Sequence, residues 1–491
     1  MYIAFLNPQG NFDKNDSFWT EHPDFGGQLV YVKEIAIAMS LLGHTVDIIT
    51  RQIHDNKFNV FSNKFDEYLG YRNVRIVRIP CGPKEFINKE QLWEHLEEWT
   101  ENIVKFFKEQ EMKPDFITGH YGDGGLAATM LKQKLNIPYS FTGHSLGAQK
   151  LDKLRLKGEN LETLEKKYHF AKRIEAERTA IKYANIIFVS TVQEQHQQYN
   201  HIFYKDITKN MQDQFVVAPP GANTKVFSSS DQDFDLEYYS KFIEICNRDI
   251  KKNRIDLPYI ISASRLDDKK NHLGLVKAYA SDKKLQKQAN LAISVRGVDN
   301  VFIDYSNLKE QEKVIIEEIL EIINKAKLKG KVTFISINSQ LELASFYRFM
   351  ARKKSVFTLT ALYEPFGLAP IEAMSAGLPA VVTKYGGPAD VLEENNTKFG
   401  VLVDVHDEKQ IAEGLKEALD NFSYYQSLGI ERVHSKYTWL STAKTYANQI
   451  EKVLNHTKSD DEINIHDFFS KPSSINIDLE FIKNKIRETE N

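Results

Sequence analysis

Short runs rich in β-branched residues alternate with longer segments of helical period along nearly the whole chain, and this alternation most restricts the fold. In the first half the strand candidates are 2–6, 45–50, 75–80, 115–119, 139–142, 186–190 and 215–218. Helical patterns such as 28–42, 89–108 and 161–183 lie between most of them. Repeated strand and helix predict a parallel sheet covered on both faces. Between 224 and about 256 the pattern stops in a polar, tyrosine-rich stretch. It restarts with 259–264, 291–296, 332–336, 355–360, 380–383 and 401–404. Two successive doubly wound α/β domains are the simplest account. The break lies between 222 and 257, and the domains are assigned as 1–240 and 241–437. The remainder, 438–491, is helix-like and then polar, and is expected to pack back on the first domain. A length of 491 residues requires such a division, because single hydrophobic cores stop growing at roughly 250–300 residues.

Charge and cysteine content narrow the class. Lys+Arg 64 against Asp+Glu 67 gives a formal net charge of -3, without the basic surplus of a nucleic-acid binder. No apolar run approaches the roughly 20 residues of a membrane span, and MYIAFLNPQG has neither the basic start nor the apolar length of an export signal. Cys81 and Cys246 are far apart and form no CxxC pair. Neither a disulfide framework nor a cysteine metal site is indicated, and a reduced cytoplasmic protein is expected.

Several motifs can carry chemistry. HPDFGGQ (22–28) precedes an amphipathic helix, where a glycine pair and free N–H groups suit a phosphate, or a tight loop simply needs glycine. SRLDDKKN (264–271) follows the first strand of the second domain, at the carboxyl end where ligands of open α/β sheets bind. There Arg265 can grip a phosphate bidentately and a lysine adds a point charge, although basic clusters are more often solvated loops. In YEPFGLAPIEAM (363–374), Pro365 keeps Glu364 out of a helix, and Gly367 and Leu368 offer N–H groups at a helix start. Glu364 and Glu372 make a poor retaining-glycosidase pair. If wholly helical they stand about 12 Å apart, against about 5–5.5 Å for that chemistry.

GHSLG (143–147) matches a nucleophile elbow, which would make Ser145 the nucleophile of an esterase. The polar, basic continuation and the second α/β domain speak against it. The DxD forms at Asp231, Asp233 and Asp235 read as solvated acids, and no closely spaced His/Cys set suggests a metal.

Together GGQ, SRLDDKKN and EPFGLAPIEAMSAGLPAVVTKYGGPADVL resemble the retaining GT-B glycosyltransferases, the last as their E-x7-E signature with Glu364 and Glu372. FLNPQGNFDKNDSFWTEHPDFGGQLVYVKE, HYGDGGLA, FTGHSLGAQK, RIEAER and SRLDDKKNHLGLV resemble, more narrowly, the bacterial sucrose-phosphate synthases, from about residue 3 to 446. The resemblance implies a GT-B fold of two Rossmann-like domains facing a cleft. It implies transfer of glucose from UDP-glucose to D-fructose 6-phosphate, giving sucrose 6-phosphate and UDP. Arg265 and Lys270 match the cations that neutralise the leaving diphosphate, and Phe366, Gly367 and Leu368 the loop that meets phosphate and sugar. Glu364 matches the acid on the glucose hydroxyls, and Glu372 the ribose ligand. The base is expected beside Arg296, Gly297, Asn338 and Leu341.

From the first domain, the resemblance places Gly27 and His144 at the donor phosphate and glucose. Gly26, Gln28, Lys89, Tyr121, Ser145, Lys150 and Arg173 fall where the family binds the acceptor, and three cations there favour a phosphorylated sugar. His144, Arg265, Lys270 and Glu364 are the expected catalytic set. No nucleophilic carboxylate can be nominated, so front-face transfer through an oxocarbenium-like state is expected, without a metal in the chemistry and with magnesium at most stimulatory. A separate phosphatase is expected downstream, and neither nucleic acid nor membrane as partner. The rival readings are a sucrose synthase using free fructose, a mannosylfructose-phosphate synthase using GDP-mannose, the Ser145 esterase, and a non-catalytic two-lobed sugar-binding protein.

Overall fold

The computed structural model describes residues 1–19, 24–156, 158–456, 462–471 and 477–490. His22 and Pro23 of the glycine-pair motif, and 457–461 of the polar tail, lie outside the described residues. The chain divides into two compact units, Met1–Pro219 with Thr442–Asn491, and Pro220–Ser441.

The first unit is built on an eight-stranded sheet. Its strands are β1 (Tyr2–Leu6), β2 (Thr45–Arg51), β3 (Phe65–Glu67), β4 (Val74–Ile79), β5 (Phe116–His120), β6 (Tyr139–Thr142), β7 (Ile186–Val189) and β8 (Phe215–Val217). They lie in the order β3-β4-β2-β1-β5-β6-β7-β8. Neighbours are parallel except β3, which runs antiparallel to β4 at the edge. That strand escapes the periodicity reading because it has only three residues and none is buried. Central strands are buried on both faces, which is why they read as continuous apolar runs.

The second unit carries β9 (Tyr259–Ser262), β10 (Asn290–Ser294), β11 (Val332–Ile335), β12 (Val356–Leu359), β13 (Ala380–Thr383) and β14 (Val401–Val403). These form one parallel sheet in the order β11-β10-β9-β12-β13-β14. Alternate residues feed opposite cores. Tyr259, Ile261 and Phe357 pack on one face, Ile260 and Val356 on the other.

Strand order reverses between β1 and β5 in the first unit and between β9 and β12 in the second. Ligands of open α/β sheets bind beyond the carboxyl ends at such switch points. The segments leaving these four strands hold NPQG–GGQ, HYGDGG, SRLDDKKN and YEPFGL, and HYGDGG passes from its strand straight into the helix Tyr121–Leu135.

Four expectations are corrected. The boundary at 240/241 falls inside a helix, Asp235–Asp249, and the units divide at 219/220 instead. That helix buries Tyr239, Phe242, Ile245 and Cys246 at helical spacing among interleaved polar residues, so the polar stretch belongs to the second unit. Its Asp235 is buried in an ion pair with Arg348 and is not a solvated acid. The helical pattern 161–183 is two helices, Leu161–Tyr168 and Phe170–Tyr183. His169 breaks it in the left-handed region (φ 48), and the Glu165 carboxylate accepts from the Ala171 N–H at 2.9 Å. Likewise, 89–108 is a 3-10 turn, Lys89–His95, followed by the helix Leu96–Glu109. Residues 442–491 group with the first unit, and no helix among the described residues is long and apolar enough to cross a membrane.

Candidate active site

In the second unit the SRLDDKKN loop is a built turn. Asp267 accepts from the Lys269 N–H at 2.8 Å and opens the 3-10 turn Asp268–Lys270. The Thr360 hydroxyl, just past β12, donates to the Asn271 carbonyl at 3.1 Å, and the Leu362 N–H donates to Lys269 O at 2.8 Å. The two loops flanking the switch point are thus sewn together. Lys270 Nζ donates to Glu364 Oε2 at 2.6 Å, a half-buried ion pair joining two predicted catalytic groups.

Glu364 is held by its backbone as well. It bridges Gly386, donates its N–H to Tyr385 O at 3.1 Å and accepts from the Gly387 N–H at 3.0 Å. Only glycine fits at 386, since its φ is +110 and a Cβ would stand 2.0 Å from the Glu364 carbonyl oxygen. Gly367, in the left-handed region at φ 88, opens the helix Leu368–Ser375. Because Glu364 sits in this bridge before the helix begins, the 12 Å helical spacing to Glu372 does not describe the segment. Glu372 lies on the helix, half-buried, and Phe366 is buried against Tyr437.

The Arg265 side chain is exposed and makes no hydrogen bond or ion pair among the described residues. Its carbonyl accepts from the buried His272 ring at 3.0 Å, which fixes the loop beneath it. Burial lowers the His272 pKa, so the ring is neutral there. Further along the carboxyl edge, Arg296 Nη2 donates to Asn338 O at 3.4 Å, bringing the two expected base loops together. Gly297 and Leu341 are exposed beside them.

In the first unit, Lys89, Tyr121, Lys150 and Arg173 line one small pocket. Gln9, Trp93 and Asp123 line it too, and the motif reading gave them no role. Lys89 Nζ pairs with Asp24 at 3.0 Å. Burial opposes its charge, but Asp24 and Tyr121 hold its pKa above the usual lysine value. Gly26 caps the helix Gly27–Leu41, and Gln28 Nε2 reaches Asp24 O at 3.3 Å, so the glycine-pair loop and Lys89 share Asp24. Gly27 is exposed, with nothing within 4 Å of a Cβ placed there. Lys150 lies 3.9 Å from the Tyr168 ring centroid. Burial, then Arg173 and Lys89, bring its pKa down to about 8. Asp123 is pushed up to about 7 by burial.

One buried carboxylate organises this half-site. Glu177 accepts from Arg173 Nε at 2.9 Å, from the Gly147 N–H at 2.9 and 3.0 Å, and from the Tyr204 hydroxyl. Arg173 also donates to the Ser145 carbonyl. Ser145 itself is exposed, and the His144 ring engages His120 at 3.0 Å, so no histidine partners the Ser145 hydroxyl among the described residues. The esterase geometry is not formed. Thr118, His120 and His144 make a chain, with Thr118 Oγ1 2.9 Å from His120 Nε2. Burial holds His144 down to about 3 and His120 well below the usual histidine value, keeping both rings neutral. A larger cavity of this unit, beside residues 464–467, carries none of the predicted site residues.

The family described as "Sucrose synthase first GT-B domain" matches residues 1–244, and "Glycosyl transferases group 1" matches 247–431. The chain is 46% identical over 453 residues to a probable sucrose-phosphate synthase of Thermosipho melanesiensis, covering 92% of this chain and 97% of that one. It is 30% identical to the sucrose-phosphate synthase of Zea mays, with 92% of this chain aligned to 47% of that protein. The chain therefore spans about half the length of the plant relatives it matches. The sucrose-phosphate synthase structure from Thermosynechococcus elongatus superposes with a TM-score of 0.67 at 22% identity, covering 93% of this chain and 100% of that one. That likeness concerns the fold.

Proposed function

The chain belongs to the sucrose-phosphate synthase family of GT-B glycosyltransferases, and from this premise we propose that it transfers glucose from UDP-glucose to D-fructose 6-phosphate, releasing sucrose 6-phosphate and UDP. The observation that carries the proposal is the convergence of Lys89, Lys150 and Arg173 on one pocket. Lys89 and Arg173 are paired with Asp24 and Glu177, while Lys150 forms no ion pair among the described residues and is left to meet an acceptor phosphate, which free fructose does not bring. Gly26, Gln28, Tyr121 and Ser145 then contact the sugar around that phosphate.

The donor half-site is the second unit's carboxyl edge. Arg265, Lys270 and the N–H groups of Gly367 and Leu368 hold the diphosphate. Glu364 and Phe366 meet the glucose, Glu372 the ribose, and Arg296, Gly297, Asn338 and Leu341 the base.

Chemistry follows from which charges develop. The bond from glucose C1 to the β-phosphate oxygen breaks and the bond from C1 to the fructose 2-oxygen forms on the same face. The fructose 2-hydroxyl proton passes to the departing phosphate oxygen. Arg265, Lys270 and the helix N–H groups stabilise the negative charge that grows on the diphosphate, and no step requires a metal in this proposal.

The test is UDP release from UDP-glucose with D-fructose 6-phosphate and with fructose. A strong preference for the phosphorylated sugar is expected. Equal rates, or faster turnover of free fructose, would overturn the acceptor assignment, and faster turnover of GDP-mannose would overturn the donor.

A further inference from the structure

The 3-10 turn Lys89–His95 carries Lys89 and Trp93, and the helix Phe170–Tyr183 carries Arg173. An ion pair joins these elements, Lys172 Nζ to Glu94 Oε1 at 3.2 Å. Beside it lies a segment from the other end of the chain. Gln133 Nε2 donates to Ile463 O at 2.8 Å, and the Asn464 N–H donates to the Tyr183 hydroxyl at 3.0 Å. His466 Nδ1 then accepts from the Phe468 N–H at 3.1 Å and caps the helical turn Asp467–Ser470.

That turn buries Phe468 and Phe469 in the same core as Trp93, Leu96, Phe170 and Ile174. The Phe469 ring centroid is 6.4 Å from that of Trp93, which lines the acceptor pocket. The Phe468 ring lies 4.4 Å from the Lys172 ammonium. Each aromatic therefore touches one of the two elements that bring cations to the pocket.

We propose that Phe469 and Phe468 are positioning residues of the acceptor half-site, holding the turn that bears Lys89 at its distance from the helix that bears Arg173. A phosphate gripped from two elements loses affinity when either drifts, because charge-assisted contacts demand close geometry. This packing lies within the core of the first unit. The proposal rests on reading the basic pocket as the acceptor site.

Full-length Phe469→Ala, Phe469→Leu and Lys172→Met are compared with the parent by KM for D-fructose 6-phosphate, fructose and UDP-glucose, and by thermal unfolding. Phe469→Ala is expected to raise the KM for fructose 6-phosphate by about tenfold or more, with the KM for UDP-glucose and acceptor-free UDP-glucose hydrolysis unchanged. Phe469→Leu keeps most of the apolar volume and should recover most of the affinity. Lys172→Met cuts the Glu94 contact without opening the core, and should shift the acceptor KM in the same direction even where Phe469→Ala does not fold. An unchanged acceptor KM in a folded variant overturns the role, as does an equal rise in both KM values. If the parent prefers free fructose the functional reading fails, while the positioning role is still read from the shift in the fructose KM.

Discussion

Lys270 and Glu364 meet at 2.6 Å across the switch point of the second sheet, each delivered by a loop whose backbone is bonded to the other loop or to the Gly386–Gly387 turn. An ammonium has three donors, so the carboxylate can fix the lysine while two N–H groups remain for a diphosphate. We expect Lys270→Ala to lower kcat by about a hundredfold or more, the scale of losing a preorganised charge at a developing anion. Excess magnesium should not restore it. UDP release at saturating donor checks this, and near-parental turnover would sink the assignment.

Gly386→Ala tests the same ion pair through the backbone. The added Cβ would collide with the Glu364 carbonyl oxygen, and the φ of +110 admits no ordinary side chain. The KM for UDP-glucose should rise about tenfold, roughly 1.4 kcal/mol of lost binding, while the KM for fructose 6-phosphate holds. If both rise together in a protein of lowered Tm, the effect is unfolding and Glu364 placement is not its cause.

Lys150 predicts a pH signature. With its pKa brought down to about 8 by burial and its basic neighbours, it is charged below that pH and loses the charge as pH rises through it. The acceptor phosphate titrates near pH 6 and stays dianionic throughout this window. The KM for fructose 6-phosphate should therefore climb above pH 8, with the break displaced upward in the complex because bound phosphate favours the ammonium. Lys150→Met should have a raised KM at every pH and no climb. A climb that persists in Lys150→Met would assign it to another group.

His144 predicts the acid limb of stability. Burial holds it down to about 3 in the folded protein, against about 6.5 in an unfolded chain. Between those values the unfolded state binds protons the folded state refuses, so this contribution to stability falls as pH falls from about 6.5 toward 3. Asp123 and Glu194, each pushed up to about 7 by burial, titrate with the opposite sign, binding protons preferentially when folded. The difference between parent and variant is therefore the useful quantity. His144→Asn should flatten the loss of Tm below pH 6.5, and an unchanged slope would contradict the buried neutral ring.

Parallel strands were legible because burial on both faces writes them as unbroken β-branched runs, and β1, β6 and β13 match the expected limits to the residue. The helix Asp235–Asp249 was not, since its four buried apolar side chains are diluted by tyrosines and charges. The break at His169 was hidden too, because helical period continues on both sides and a left-handed residue leaves no apolar mark. At the site, Tyr121, Lys150 and Arg173 stand in quoted motifs and Lys89 was expected from the family resemblance alone, and the four share a pocket. Trp93, Asp123, Glu177 and His272 could not be proposed, though the last three stand inside quoted motifs. Their roles depend on partners far away in the chain or on burial that folding alone creates, such as Glu177 with Tyr204.

Arg173 and Lys150 face one pocket on very different terms. Arg173 is a tie-beam, bonded to Glu177 and to the Ser145 carbonyl, so replacing it disturbs the loop as well as the charge. Lys150 stacks on Tyr168 and forms no ion pair among the described residues. A redesign toward unphosphorylated sugars should therefore begin at Lys150, where charge can be removed from the acceptor pocket without dismantling the frame that Glu177 secures.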